Sequence, residues 1–123
     1  MAEPEILDRA ALAELRAMTG DDPAFLGELI DTYVADTPQQ LATIRHALDT
    51  GDAEAVRRAA HSLKSNSATF GAATLAALGA QLEARGKAGA LAGTDGLVAR
   101  AEAEYDRVRR ALRALQAAGE PGG

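Results

Sequence analysis

Apolar residues recur along this chain at the three- and four-residue spacing of helix faces, and nowhere do they alternate as strand residues do. A first short stripe, Leu12 and Leu15, follows Asp8 and stops before Gly20, which predicts a short helix capped by Asp8. Asp21-Asp22-Pro23 supplies the next start: a capping carboxylate, then a proline in the first turn, where a missing N–H costs nothing. Phe25, Leu26, Leu29, Ile30, Tyr33 and Val34 line one face after it. Thr37-Pro38 leaves two readings open, a kink within one helix or a fresh start, and Leu41, Ile44 and Leu48 continue the stripe in either case. Thr50-Gly51-Asp52 is a turn followed by a new cap. The helix after it is expected from about Ala53 to Phe70, with Gly71 as its end or as a tight contact. Ala72 to about Arg85 carries Leu75, Leu78 and Leu82 inward. Gly86 to Gly96 reads as a glycine-rich connection. A last helix from about Asp95 to Ala117 uses Leu97, Val98, Ala101, Tyr105, Val108, Leu112 and Leu115.

Four longer helices with short connections predict an all-α fold: an antiparallel, up-down four-helix bundle with an additional short N-terminal helix as a cover. The 123 residues suit one domain, expected over residues 1–118, with the Gly-Glu-Pro-Gly-Gly of residues 119–123 as a frayed tail. Composition agrees. Hydrophobic residues make up 47% of the chain but aromatics only 3%, and alanine, the best helix former, supplies much of the difference. The net charge of -5 and the lack of a basic tract argue against nucleic acid as a partner. The absence of cysteine removes disulfides, thiolate chemistry and cysteine-ligated zinc. The acidic first residues carry no secretory signal, and no run approaches the ~20 apolar residues of a membrane span, so a cytoplasmic protein is expected.

His61 stands apart from this apolar scheme. Val56, Ala59, Ala60, Leu63 and Phe70 form the inward stripe of its helix, whereas His61 falls on the other side. Arg57 and Arg58 lie one turn before it, and Lys64 and Ser65 one turn after. An exposed imidazole among cations and small side chains packs poorly but can receive and release a phosphoryl group. His46, the other histidine, has no comparable surroundings, and no ligand spacing suggests a metal site.

The run Ala60-His61-Ser62-Leu63-Lys64-Ser65, with Gly71 following, resembles the signature of histidine-containing phosphotransfer (HPt) domains, usually His-x-Leu-Lys-Gly with a second glycine six residues on. Gly51-Asp52-Ala53-Glu54 before the helix, and Leu75, Leu78, Leu82 and Glu83 after it, extend the likeness over about residues 22–90. The resemblance implies that His61 is the phosphorylated residue and that Lys64 stabilises the phosphoryl group. Arg57 and Arg58 would steer the acidic pocket of a receiver domain, and Ser65 and Ala68 would keep the docking surface open. Leu7, Leu12, Phe25 and Leu26 are candidates for apolar docking contacts. Ser65 departs from the usual glycine. Glu83 falls where some members have a glutamine that contacts the imidazole.

The implied function is shuttling of a phosphoryl group between receiver-domain aspartates in a multistep phosphorelay, by a carrier that is not an enzyme. Gly86-Lys-Ala-Gly lacks the spacing of an ATP phosphate loop. No cofactor is expected on this chain, because Mg²⁺ belongs to the receiver. The expected partners are response-regulator receivers, including those of hybrid histidine kinases, with no nucleic acid and no membrane, and a monomer is expected. Two alternatives stand beside it: a phosphoacceptor domain excised from a larger histidine kinase, and a helical adaptor that works without phosphorylation.

Overall fold

The structure, a computed structural model, describes residues 6–119. They form five helices: α1 (Arg9–Met18), α2 (Pro23–Thr50), α3 (Ala53–Thr69), α4 (Ala73–Ala88) and α5 (Asp95–Gly119). No strand occurs among the described residues. Helix α3 packs on α4 and α2, α5 packs on α2 and α4, and α1 touches α3. Ile30, Ile44, Val56, Leu63, Leu75, Leu82, Val98, Val108 and Leu112 fill the interior between α2, α3, α4 and α5. Residues 120–123, most of the expected tail, lie outside the described residues, and α5 runs on to Gly119.

Three aspartates start helices where the spacing places them. Asp8 accepts from the Ala10 N–H at 3.1 Å, Asp22 from Ala24 at 3.0 Å, and Asp52 from Ala55 at 3.1 Å. Gly51 closes α2 with a left-handed φ of 73°, a conformation that only glycine adopts without strain. Helix α4 corrects the sequence reading. It does not stop near Arg85 but continues through Gly86 to Ala88, and Gly89, at φ 69°, is its end. Gly86 is there for close approach rather than for a turn.

Pro38 lies inside α2, which settles Thr37-Pro38 as part of one long helix. A proline removes the N–H that would bond the carbonyl four residues back, here Val34. The Tyr105 hydroxyl of α5 donates to that carbonyl at 2.8 Å. The neighbouring turn is supported by Thr37, whose buried hydroxyl donates to the Tyr33 carbonyl at 2.7 Å. The hydrogen bond that proline deletes is thus supplied by another helix, which ties α2 to α5.

The tightest contact in the molecule is between α3 and α4. A Cβ added at Gly79 would meet the Lys64 backbone N at 3.0 Å, and one at Gly86 would meet the Arg57 N at 2.6 Å and the Ala53 O at 2.8 Å. As numbers rise on α4 they fall on α3, so these two helices run antiparallel. Buried Ala72, at the N-cap of α4, and Gly79 and Gly86 within it recur every seventh residue, a seam of small residues along which the α3 backbone lies against the two glycines.

Two outcomes follow from this packing. Gly86→Ala places a methyl against backbone that cannot rotate away, and overpacking of about 1–3 kcal/mol outweighs the helix-propensity gain of about 1 kcal/mol. Gly96, in α5, has nothing within 4 Å of an added Cβ, so Gly96→Ala is neutral or slightly stabilising. Thermal unfolding followed by circular dichroism reads both, and an unchanged midpoint for Gly86→Ala would contradict the seam. Tyr105→Phe leaves the Val34 carbonyl without its donor and costs about 1–2 kcal/mol. In a Pro38→Ala background residue 38 regains its N–H, so that cost shrinks; equal costs in both backgrounds in a double-mutant cycle would show the two residues to be uncoupled.

Candidate functional site

Helix α3 separates its residues as the periodicity predicts. Val56, Ala60, Leu63 and Ser67 are buried, and His61, Ser65 and Ala68 are exposed. Its inner face carries one polar contact: Ser67 Oγ and the Tyr33 hydroxyl lie 2.8 Å apart in the interior. The Tyr33 ring packs on Phe70 with centroids 4.7 Å apart. Burial pushes the Tyr33 phenol above its ordinary value, so it remains a neutral hydroxyl able to share this bond.

On the outer face the α3–α4 seam brings Glu83 up beside α3. Glu83 follows Gly79 by four residues and precedes Gly86 by three, so it rises next to the line of contact. Its Oε2 lies 2.7 Å from His61 Nδ1 and its Oε1 2.6 Å from Lys64 Nζ. The His61 side chain is 56% exposed, whereas Glu83 is only 18% exposed, so the imidazole covers a largely enclosed carboxylate. The Lys64 ammonium first, and the His61 ring second, hold Glu83 below the ordinary glutamate value, against the opposing effect of its burial.

That ionisation assigns the proton on the ring. A carboxylate can only accept, so Nδ1 carries the hydrogen and donates it to Glu83. In the neutral imidazole Nε2 then holds the lone pair, and it makes no hydrogen bond among the described residues. The outcome is an exposed ring with a fixed tautomer and one open nitrogen.

The family model of the Hpt domain matches residues 28–118. The chain belongs to the Hpt domain family. The crystal structure of histidine-containing phosphotransfer protein B (HptB) from Pseudomonas aeruginosa PAO1 is similar to this one at a TM-score of 0.82 and 33% sequence identity, over 93% of this chain and 96% of that one. None of the curated proteins matches the chain by sequence. As an Hpt domain the protein is a histidine phosphotransfer protein of phosphorelay signalling, and members of this family are phosphocarriers.

Within this Hpt domain the residues singled out in the sequence separate into two sets. His61, Lys64 and Glu83 come together as one hydrogen-bonded group. Arg57 does not join it. Its guanidinium is held by Glu54, with Nε 3.0 Å from Oε2 and a second, shorter contact from Nη2 to Oε1. Arg58 is exposed and makes no hydrogen bond or ion pair among the described residues. Of the candidate docking residues, Leu12 belongs to the core, Leu7 and Leu26 pack partly against it, and Phe25 is exposed. His46 is exposed on α2, and no group of three or more metal-capable side chains occurs among the described residues. Nor is any helix there long and apolar enough to cross a membrane.

Gly79 and Gly86, which position Glu83, lie outside the residues that the helical spacing singles out. The sequence signal for them is the seven-residue recurrence of Ala72, Gly79 and Gly86, in which Gly86 serves a helix contact and not the expected loop. Two clefts among the described residues lie away from His61. One of about 590 Å³, lined by Thr19, Leu26, Ile30 and Leu115 among others, separates the start of α2 from the end of α5. His61 sits instead on an open helix face, which suits contact with a protein surface.

Glu83 should titrate below its ordinary value of 4.5. Lys64→Gln should raise its midpoint more than His61→Gln does, because the lysine is the larger cause. Carbon-detected NMR of the Glu83 carboxyl reads this, and a midpoint at or above 4.5 in the wild type would refute the arrangement. Because the native value lies below the unfolded one, Glu83 stabilises the fold fully above pH ~4.5 and loses that contribution as pH falls through its lowered native value.

Proposed function

We propose that the protein carries a phosphoryl group on His61 Nε2 and passes it between receiver-domain aspartates in a multistep phosphorelay. The bond from His61 Nδ1–H to Glu83 Oε2 is the observation that supports this most directly, because it leaves Nε2 as the nucleophile. In the forward step the Nε2 lone pair attacks phosphorus in line. The Nε2–P bond forms, the bond from phosphorus to the aspartyl oxygen breaks, and the carboxylate leaves with the electron pair. The reverse sequence reloads an aspartate. Such phosphoryl transfers need positioning and charge neutralisation more than covalent help from the protein. As Nε2 bonds to phosphorus the ring becomes cationic, and the fixed charge of Glu83 offsets that change.

Lys64 is the cation assigned to the phosphoryl oxygens. In the unphosphorylated protein it is engaged by Glu83, so it would have to share the two anions. Arg57 and Arg58 flank the preceding turn and would steer an acidic receiver pocket at longer range. The small side chains of Ser65 and Ala68 would let a receiver loop approach the ring. Mg²⁺ would be supplied by the receiver, with no cofactor on this chain and no ATP site for self-phosphorylation. Helices α2–α5 would form an antiparallel four-helix bundle, since short turns join consecutive helices that also touch, with residues 1–118 as a single domain. A monomeric state, cytoplasmic residence and cognate receivers that include those of hybrid kinases belong to the same proposal, as does the absence of nucleic-acid and membrane partners. HptB, by its name a histidine-containing phosphotransfer protein, supports the reading.

A transfer assay tests it. With a labelled phospho-receiver and Mg²⁺, the wild type should take up a label that is labile in acid and stable in alkali, and His61→Gln should take up none. Lys64→Ala should still accept, more slowly by roughly tenfold or more, the worth of one hydrogen bond to a charged group. Uptake by His61→Gln would refute the assignment. No uptake by folded wild type from any receiver of its source would instead favour the adaptor.

A further inference from the structure

We infer that the Ser65 hydroxyl is a phosphoryl-contacting group that donates a hydrogen bond to an oxygen of phosphorylated His61 and lengthens the life of that intermediate. This rests on the phosphocarrier reading and deepens it. At 3.6 residues per turn, Lys64 lies about 60° to one side of His61 around the helix and Ser65 about 40° to the other. Lys64 is on the flank facing α4, where Glu83 holds it at 2.6 Å. Ser65 is therefore on the far flank, exposed, and its Oγ makes no hydrogen bond among the described residues. Its backbone carbonyl accepts from the Thr69 hydroxyl at 3.1 Å, and its own hydroxyl is left open on the turn that follows His61. Residues four apart on a helix are neighbours on its surface, which places the Ser65 hydroxyl beside His61 on the flank that Lys64 does not occupy.

The cations that the sequence assembles around His61 are largely committed, Lys64 to Glu83 and Arg57 to Glu54. A phosphoryl group on Nε2 brings three strong acceptor oxygens to this surface. An uncommitted O–H within one turn can satisfy one of them without disturbing the ion pairs. Only a hydrogen bond forms, and the proton stays on Ser65. A hydrogen bond made to the phosphohistidine and not strengthened in the transition state of hydrolysis stabilises the ground state, and so favours the intermediate over its hydrolysis. Glycine, which the Hpt signature usually has here, supplies no such donor.

The experiment compares wild type, Ser65→Ala and Ser65→Thr. Each is loaded from a labelled phospho-receiver, freed of it, and followed for decay of the alkali-stable label, with His61→Gln as the blank. Ser65 is exposed, and circular dichroism checks that each variant is folded. We expect Ser65→Ala to shorten the half-life about three- to tenfold and Ser65→Thr, which keeps the hydroxyl, to restore it to within about twofold. The equilibrium with the phospho-receiver should shift towards the receiver by the same factor in Ser65→Ala alone. Labelled His61 with equal half-lives for wild type and Ser65→Ala overturns the inference and leaves the carrier reading standing. Equal shortening by alanine and threonine also overturns it. Absence of label from wild type overturns the carrier reading itself, and the inference with it.

Discussion

Everything at the candidate site depends on how closely α4 can approach α3. Packed helices ordinarily lie 8–10 Å apart, the distance set by the side chains between them. Here Gly79 and Gly86 put bare backbone against the backbone of Lys64 and Arg57. Two glycines in a helix interior cost about 1 kcal/mol each relative to alanine. That cost is offset where Leu75, Leu78 and Leu82 pack into the core from the same helix. What the approach secures is reach. A glutamate on a helix at ordinary separation would need to stretch towards the imidazole, whereas Glu83 meets both His61 and Lys64 with one carboxylate.

Two of the three cations around the imidazole are paired before any phosphoryl group arrives. Glu83 balances Lys64, Glu54 balances Arg57, and each acid is held ionised by its partner. Surface pairs of this kind contribute little to stability. Their effect here is on geometry: Glu83 fixes the ring tautomer and sets the direction of Nε2, and Lys64 holds Glu83 in place. A phosphoryl group would add a charge of about -1.5 to -2 to a surface that is near neutrality in its resting state. That charge would be met by the uncommitted Ser65 hydroxyl and by a Lys64 that must be shared with Glu83.

Local chemistry was legible in the sequence and contact between distant segments was not. Asp8, Asp22 and Asp52 announce their helices because a cap acts on backbone two or three residues away. His61 and Lys64 were legible for the same reason, being one turn apart on one face. Pro38 was ambiguous because its outcome depends on Tyr105, 67 residues further along, whose hydroxyl replaces the deleted bond. Gly86 was misread because glycine serves equally well in a turn and in a close helix contact, and only the partner helix distinguishes the two. Gly89, three residues later, has the positive φ that the turn required. Leu12 and Phe25 look alike in the pattern, yet one is core and the other exposed, since an apolar residue at helical spacing serves either purpose.

The buried bond between Ser67 and Tyr33 has a consequence for the opposite face of α3. The close contact with Gly79 and Gly86 limits how far α3 can roll about its long axis, and a directional bond limits it further. A polar peg at the rear, 2.8 Å long and shielded from water, sets the azimuth. At a helix radius of about 5–6 Å, a roll of ~10° would carry an outward group sideways by ~1 Å. A displacement of that size is enough to spoil in-line attack. The angular bearing of the imidazole, as an incoming protein would meet it, thus depends on a buried serine and tyrosine as well as on Glu83.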